Sequence, residues 1–150
     1  MKRLILCLSG LLLLFALLYL CPYPQKVDAV LDGFYYEEKP EGSPQLGAPG
    51  SVRIQGTLYR YLIKDDVFKG KICLGGSLCW EGLSSTGAQK LQNGFSLFTF
   101  AIYNEGDNRP GAVSLYKKGN FQKVLLDIYT GVDSVRFAAP AEEINDLYLD

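Results

Sequence analysis

The sequence predicts a mainly β fold, an antiparallel meander that closes as a sandwich or a small barrel, with an N-terminal transmembrane helix and a short C-terminal helix. Three observations predict it. The chain has 150 residues, the length of one domain. Beyond residue 30, short runs of alternating apolar and polar residues are separated by turn residues, as in strands. Between these runs lies no helical pattern of about 10–15 residues, so we expect antiparallel pairing.

The first element is an apolar helix. Lys2 and Arg3 precede an apolar run over residues 4–21, and two prolines follow soon after it. As a helix this run is about 27 Å long, close to the roughly 30 Å of a bilayer core. The basic residues at its start place the N-terminus inside and the remaining chain outside. We therefore expect residues 1–24 to form a signal-anchor in the cell membrane, single-pass, with the C-terminal domain outside.

Two other interpretations of this segment remain open. Val27, Asp28 and Ala29 offer small residues where a signal peptidase reads, so cleavage near Ala29 would leave a secreted domain. Cys21 could instead carry a lipid, but it follows bulky residues at the positions where small ones are preferred.

Residues 25–150 form the predicted extracytoplasmic β domain. The apolar run FSLFTFAIY is the most apolar candidate strand, and we expect it to lie at the centre of the sheet. The full set of predicted strands covers residues 31–37, 51–66, 67–74, 95–103, 113–116, 121–129 and 134–138, with turns at 64–66 and 75–76.

Two segments of this domain depart from the strand pattern. Residues 37–51 contain three prolines and three glycines and predict a long flexible surface loop. After Pro140, the apolar residues Ile144, Leu147 and Tyr148 recur at helical spacing, which predicts the C-terminal helix, packed on the sheet.

The composition excludes several function classes. The net charge is −1, which disfavours nucleic-acid binding. The chain contains no histidine and no G-x-S-x-G motif, so we expect no catalytic centre of the triad type. We also expect no cofactor and no metal, because two cysteines beyond the anchor cannot complete a zinc site and the polar turn at Glu105, Asp107 and Asn108 lacks EF-hand spacing.

Cys73 and Cys79 flank the turn at Gly75 and Gly76. With a three-residue loop the two cysteines stand opposite each other across a hairpin, close enough for a disulfide. With a two-residue loop they point to opposite faces. The sequence leaves open whether they form a disulfide or two free thiols, although an extracytoplasmic location permits the bond.

The aromatic residues Phe34, Tyr35, Tyr36 and Trp80 are the candidate binding residues, for an envelope protein, a peptide or a glycan. Packing in the core competes with this interpretation, because aromatic residues also line the inner face of β domains. We therefore expect a membrane-tethered binding or structural module. The alternative is a small cell-envelope hydrolase that uses carboxylates such as Asp65 and Glu81.

Two stretches carry a resemblance to other proteins: GTLYRYLIKDDVFKGKI, over residues 56–72, and AAPAEE, over residues 138–143. In these stretches and in its order of features the chain resembles uncharacterised Gram-positive bacterial proteins with an N-terminal membrane segment and a small extracytoplasmic β domain. The resemblance implies location and β architecture. It implies no activity.

Overall fold

The structure, a computed structural model, describes residues 2–38, 44–91, 94–103, 110–130 and 134–140. These residues contain one helix and nine strands. In chain order they are α1 (Lys2–Leu20), β1 (Tyr23–Glu38), β2 (Pro44–Arg60), β3 (Val67–Leu74), β4 (Leu78–Ser84), β5 (Ala88–Lys90), β6 (Phe95–Tyr103), β7 (Pro110–Lys118), β8 (Lys123–Tyr129) and β9 (Ser134–Ala139).

The nine strands form one antiparallel sheet in the order β4-β3-β2-β1-β9-β8-β7-β6-β5. Most neighbours in the sheet are neighbours in sequence, and β1 pairs with β9 to join the first and last strands. The prediction of a mainly β, antiparallel fold is confirmed. The sheet curls as a half-barrel in place of the closed sandwich or barrel that the sequence predicts, with β4 and β5 at its two ends.

The core lies inside the curl. Phe68 of β3 contacts Phe98 and Phe100 of β6 edge to face, with ring centroids 6.4 and 6.0 Å apart. Because β3 and β6 are six places apart in the sheet order, these contacts require the sheet to bend until its two flanks meet. The same cluster takes in the inward-facing residues of most other strands, including Ile54 and Leu126.

Residues 37–51 correct the predicted flexible loop. Residues 37–38 belong to β1 and residues 44–51 to β2, which leaves 39–43 outside the described residues. The pairing of β2 with β3 ends at Val52, so the Pro- and Gly-rich part of β2 is an edge segment that pairs with β1. An edge segment tolerates proline because half of its backbone groups need no strand partner. A register shift between Phe34 and Tyr36 accommodates the extra residues.

The strand β6 is not central, contrary to prediction. It lies second from the end of the sheet, beside the three-residue β5, and β9 stands in the middle. Its inward residues Phe98 and Phe100 are buried, whereas the outward residues Ala101 and Tyr103 are exposed. Apolar residues on its outward face therefore make the run look like a strand that is buried on both faces.

The N-terminal segment is helical as far as Leu20, and the predicted transmembrane helix is corrected. Within the described part of the chain, no helix is long and apolar enough to cross a membrane. Lys2 and Arg3 occupy the first turn of α1 and Cys21 lies beyond its end, so the apolar part is about 26 Å long, short of the roughly 30 Å of a bilayer core. The predicted C-terminal helix lies outside the described residues.

Candidate functional site

The sheet has two ends, which differ in what they carry. At the proximal end α1 joins β1, and the β2–β3 turn (61–66) and the β7–β8 turn (119–122) lie close by, because Tyr23 pairs with Arg60 and the Gln25 amide donates to Asn120. At the distal end lie the β3–β4 turn (75–77) and the far end of the β1–β2 hairpin.

The four aromatic residues predicted to bind a ligand do not gather in one place. Tyr35 and Trp80 face the interior and pack at its margin, where the Tyr35 ring meets Phe137 edge to face at 5.3 Å. Trp80 pairs with Ile72 on the other side of β2 and β3. Both are half-buried, so only part of each ring reaches solvent.

Phe34 and Tyr36 point to the outer face, where they adjoin an apolar strip. The strip consists of Phe34, Ala138, Leu125, Tyr116 and Leu97, which pair in succession across five neighbouring strands. Tyr36 packs on the same cluster. Leu125 is only 3% exposed, although its neighbours in β8 point into the core. Both faces of this half of the sheet are therefore buried, and alternation in the sequence could not show that.

Cys73 and Cys79 are joined by a disulfide at the distal end. They pair directly across β3 and β4, with their Cα atoms 4.1 Å apart. The turn contains three residues, and Gly75 and Gly76 both have positive φ, the conformation that glycine adopts most readily. This is the longer of the two loop geometries open from the sequence.

Asp65 and Glu81, the carboxylates considered for hydrolysis, line different clefts. Asp65 lies in the β2–β3 turn, beside a cleft of about 560 Å³ between that turn and β5 and β6. Glu81 lies on β4, 3.8 Å from the Lys71 amine, beside a groove where Gly56 and Gly70 bare the backbone. The pair therefore does not form a site for acid and base catalysis.

No group of three or more metal-binding side chains occurs in the described ranges. The acidic turn at Glu105, Asp107 and Asn108 lies outside them.

Lys117 is a buried cation that the sequence did not reveal. Its side chain points into the proximal end of the interior, where its amine donates to the Gly119 carbonyl at 3.0 Å and lies 5.2 Å from the Phe121 ring centroid. Burial lowers the pKa of the Lys117 amine from its usual 10.5; the positive charge of Arg60 lowers it further, and the Asp66 carboxylate opposes both. Within "SLYKKGN", Lys117 reads as part of a polar turn, because no local signal separates it from Lys118.

The helix α1 is exposed along its described length. The four consecutive residues 11–14 point in directions about 100° apart, and all four leucines are exposed. The helix is thus apolar on all sides and does not bury any one face against the sheet.

No family model, no curated protein and no solved structure matches this chain. The site is therefore interpreted from its own geometry.

Proposed function

We propose that this chain is a non-catalytic module that α1 tethers to a membrane, with its β domain on the extracytoplasmic side, where it binds or spaces other components of the cell envelope. The exposed apolar helix carries this proposal. A helix that is apolar all round is stable where its surroundings are apolar, and lipid supplies such surroundings.

The disulfide supports the extracytoplasmic side. Disulfides persist in oxidising compartments and are rare in the cytosol. Cys79 is exposed, so a reducing cytosol would have ready access to the bond between Cys73 and Cys79. The helix and the disulfide therefore favour the same location, although neither depends on the other.

The start of β1 favours retention of the helix over secretion. Val27 is buried in the core, and Ala29 pairs with Ile54 in the middle of the β1–β2 hairpin. Cleavage after Ala29 would remove the first seven residues of β1, from Tyr23 onward, from the sheet. Such a cut would cost the domain part of its longest strand pair.

The hairpin also sets the distance between the membrane and a partner. Only two residues separate α1 from β1, so the helix continues directly into the sheet. The 16 residues of β1 extend about 50 Å at the usual rise of a strand. The distal end, with the half-buried Tyr35 and the edge segment of β2, is thus the part held farthest from the helix and is the surface we assign to a partner.

The non-catalytic part of the proposal rests on composition and on the carboxylates. The chain has no histidine, and Asp65 and Glu81 lie at separate clefts. Incubation of the purified chain with peptidoglycan, followed by analysis of released fragments, tests it. Fragment release by the parent chain that is lost in Asp65→Asn or in Glu81→Gln would overturn it.

Vesicle flotation tests the tether. The full chain, moved from detergent into phosphatidylcholine vesicles, should float with the lipid. Leu12→Asp with Phe15→Asp places two carboxylates on exposed positions of α1 and should weaken partitioning at least about 100-fold. Leu78→Asp, at an exposed position of the distal end, is the matched control. Equal flotation of all three chains, or flotation of none, would refute the tether.

Thiol counting in cells tests the compartment. The chain contains four cysteines, of which Cys7 and Cys21 are free. Cells quenched in acid and then denatured with a maleimide reagent should yield chains that carry two labels, and four after prior reduction. Four labels without reduction would place the domain in a reducing compartment and contradict the extracytoplasmic assignment.

A further inference from the structure

The β2–β3 turn carries two adjacent apolar side chains that point into solvent. Leu62 is 74% exposed and Ile63 is 63% exposed. Turns favour polar residues and glycine, and single exposed apolar residues are common on protein surfaces. Two side by side at the tip of a turn, next to further exposed apolar residues, form a patch of the kind that marks interaction sites.

The neighbours of this turn belong to α1 and to the start of β1. The Lys64 amine lies 5.3 Å from the centroid of the Tyr19 ring, near the end of the helix. Tyr23 pairs with Arg60, the last residue before the turn, and is 75% exposed. Tyr19, Tyr23, Leu62 and Ile63 therefore form one exposed apolar patch around the point where α1 leaves the sheet. We call this patch the proximal rim.

We propose that the proximal rim is a second lipid contact, which inserts into the membrane interface beside α1 and fixes the orientation of the β domain on the bilayer. This inference rests on the proposed tether and adds an orientation to it. Without the rim, the domain would rotate about the link between α1 and β1. With it, the proximal end faces the lipid and the distal end faces away.

The chemistry of the rim matches the interface between lipid and water. Tyrosine is enriched at that depth because its ring is apolar and its hydroxyl is polar. Lys64 has an aliphatic stem that can lie along apolar surface while its amine reaches the headgroups. The Asp66 carboxylate accepts a hydrogen bond from the Tyr61 backbone at 3.3 Å. Asp65 packs so close to Gly87 that a Cβ built there would be 3.2 Å from its own Cβ. Both acids are thereby held towards the sheet.

The balance of charge selects the part of the lipid that is bound. Arg60 and Lys64 offset Asp65 and Asp66, so the turn with its preceding residue carries no net charge. A neutral apolar tip partitions into the acyl boundary of any fluid bilayer, whereas a basic patch would require anionic headgroups. We therefore expect rim insertion into vesicles of phosphatidylcholine alone, and the same insertion at low and high salt.

Depth-dependent fluorescence quenching tests the inference. Leu62→Trp introduces a reporter at the rim, and Tyr103→Trp, at the exposed distal end of β6, is the matched control. Trp80 contributes the same background to both chains. In vesicles of phosphatidylcholine brominated on its acyl chains, Leu62→Trp should lose at least about half of its added emission, and Tyr103→Trp none.

Each other outcome is decisive. Flotation of the chain without quenching at residue 62 overturns the rim contact and leaves the tether standing. Quenching at both reporters shows that the domain has no fixed orientation and likewise overturns the inference. A concentration-dependent blue shift of Leu62→Trp without vesicles identifies a second copy of the chain as the occupant instead. If the parent chain does not float at all, the tether and the rim contact both fail.

A thermodynamic test uses a weakened tether. In a chain that carries Leu12→Asp, the added pair Leu62→Asp and Ile63→Asp should lower partitioning into neutral vesicles by a further factor of about 10 or more. Tyr103→Asp in the same background should leave it unchanged. An equal loss in both chains would overturn the rim contact.

Discussion

Phe68→Ala removes the side chain that joins the two flanks of the curled sheet. Phe68 is fully buried and meets Phe98, Phe100 and Phe121 at centroid distances between 6.0 and 6.4 Å. Truncation of a buried Phe to Ala costs about 3–5 kcal/mol, and each aromatic pair adds about 0.5–1.5 kcal/mol beyond its area. We therefore expect a loss near 5 kcal/mol in the free energy of unfolding, against a total of about 5–15 kcal/mol for a domain.

Urea unfolding of the full chain in detergent, followed by tyrosine and tryptophan fluorescence, measures this loss. Phe68→Leu keeps most of the volume and loses the ring contacts, so it should cost about 1–2 kcal/mol. Tyr103→Ala, at a 78% exposed position of β6, should change stability by less than about 0.5 kcal/mol. A loss below about 1 kcal/mol for Phe68→Ala would mean that β3 does not pack on β6, and the curl would be wrong.

Three further predictions address the disulfide, the buried lysine and the outer strip. Cys73→Ser opens a loop with a sequence separation of 6, so urea unfolding should show a loss of about 2 kcal/mol that disappears when both chains are reduced. Lys117→Met should raise stability by about 1 kcal/mol at pH 7, because it removes a buried charge. Since the folded pKa of Lys117 is lowered, the unfolded chain holds that proton to a higher pH. Stability of the parent should therefore rise between the folded pKa and about 10.5, and the advantage of Lys117→Met should shrink there; a gap independent of pH would contradict this. Leu125→Asp should cost about 3 kcal/mol or more in thermal or urea unfolding although it lies on the outer face, whereas Leu78→Asp should be nearly neutral.

The strands that the sequence predicts best are those bounded by turn residues on both sides. The predicted runs 67–74 and 95–103 coincide with β3 and β6. Their bounds follow from Asp65 and Asp66 before one run and from glycines beside both. The place of each strand in the sheet does not follow from such local signals, because it depends on pairs as remote in sequence as Phe34 and Ala138.

Prolines and glycines mark two different structures that composition cannot distinguish. A surface loop and an edge strand both leave backbone groups without strand partners, and both therefore tolerate Pro49 and Gly47. Only the end of the β2–β3 pairing at Val52 shows that residues 44–51 are an edge strand. The same limit applies to Phe34 and Tyr36. Alternation assigned them to a face, but the burial of that face depends on Leu125 and Ala138, which are distant in sequence.

Leu62 and Ile63 show where periodicity loses its meaning. In the sequence they continue the alternation of the preceding residues, and a strand through them would turn one of the two side chains towards the core. The strand instead ends at Arg60, and the hydrogen bond from the Tyr61 backbone to Asp66 holds the following residues in a turn. Alternation predicts the direction of a side chain only inside a regular strand, so both residues become exposed just beyond its end. Because each fully exposed Leu or Ile forgoes about 1.5–3 kcal/mol of burial, contact with lipid at this point would recover free energy that the sheet itself leaves unused.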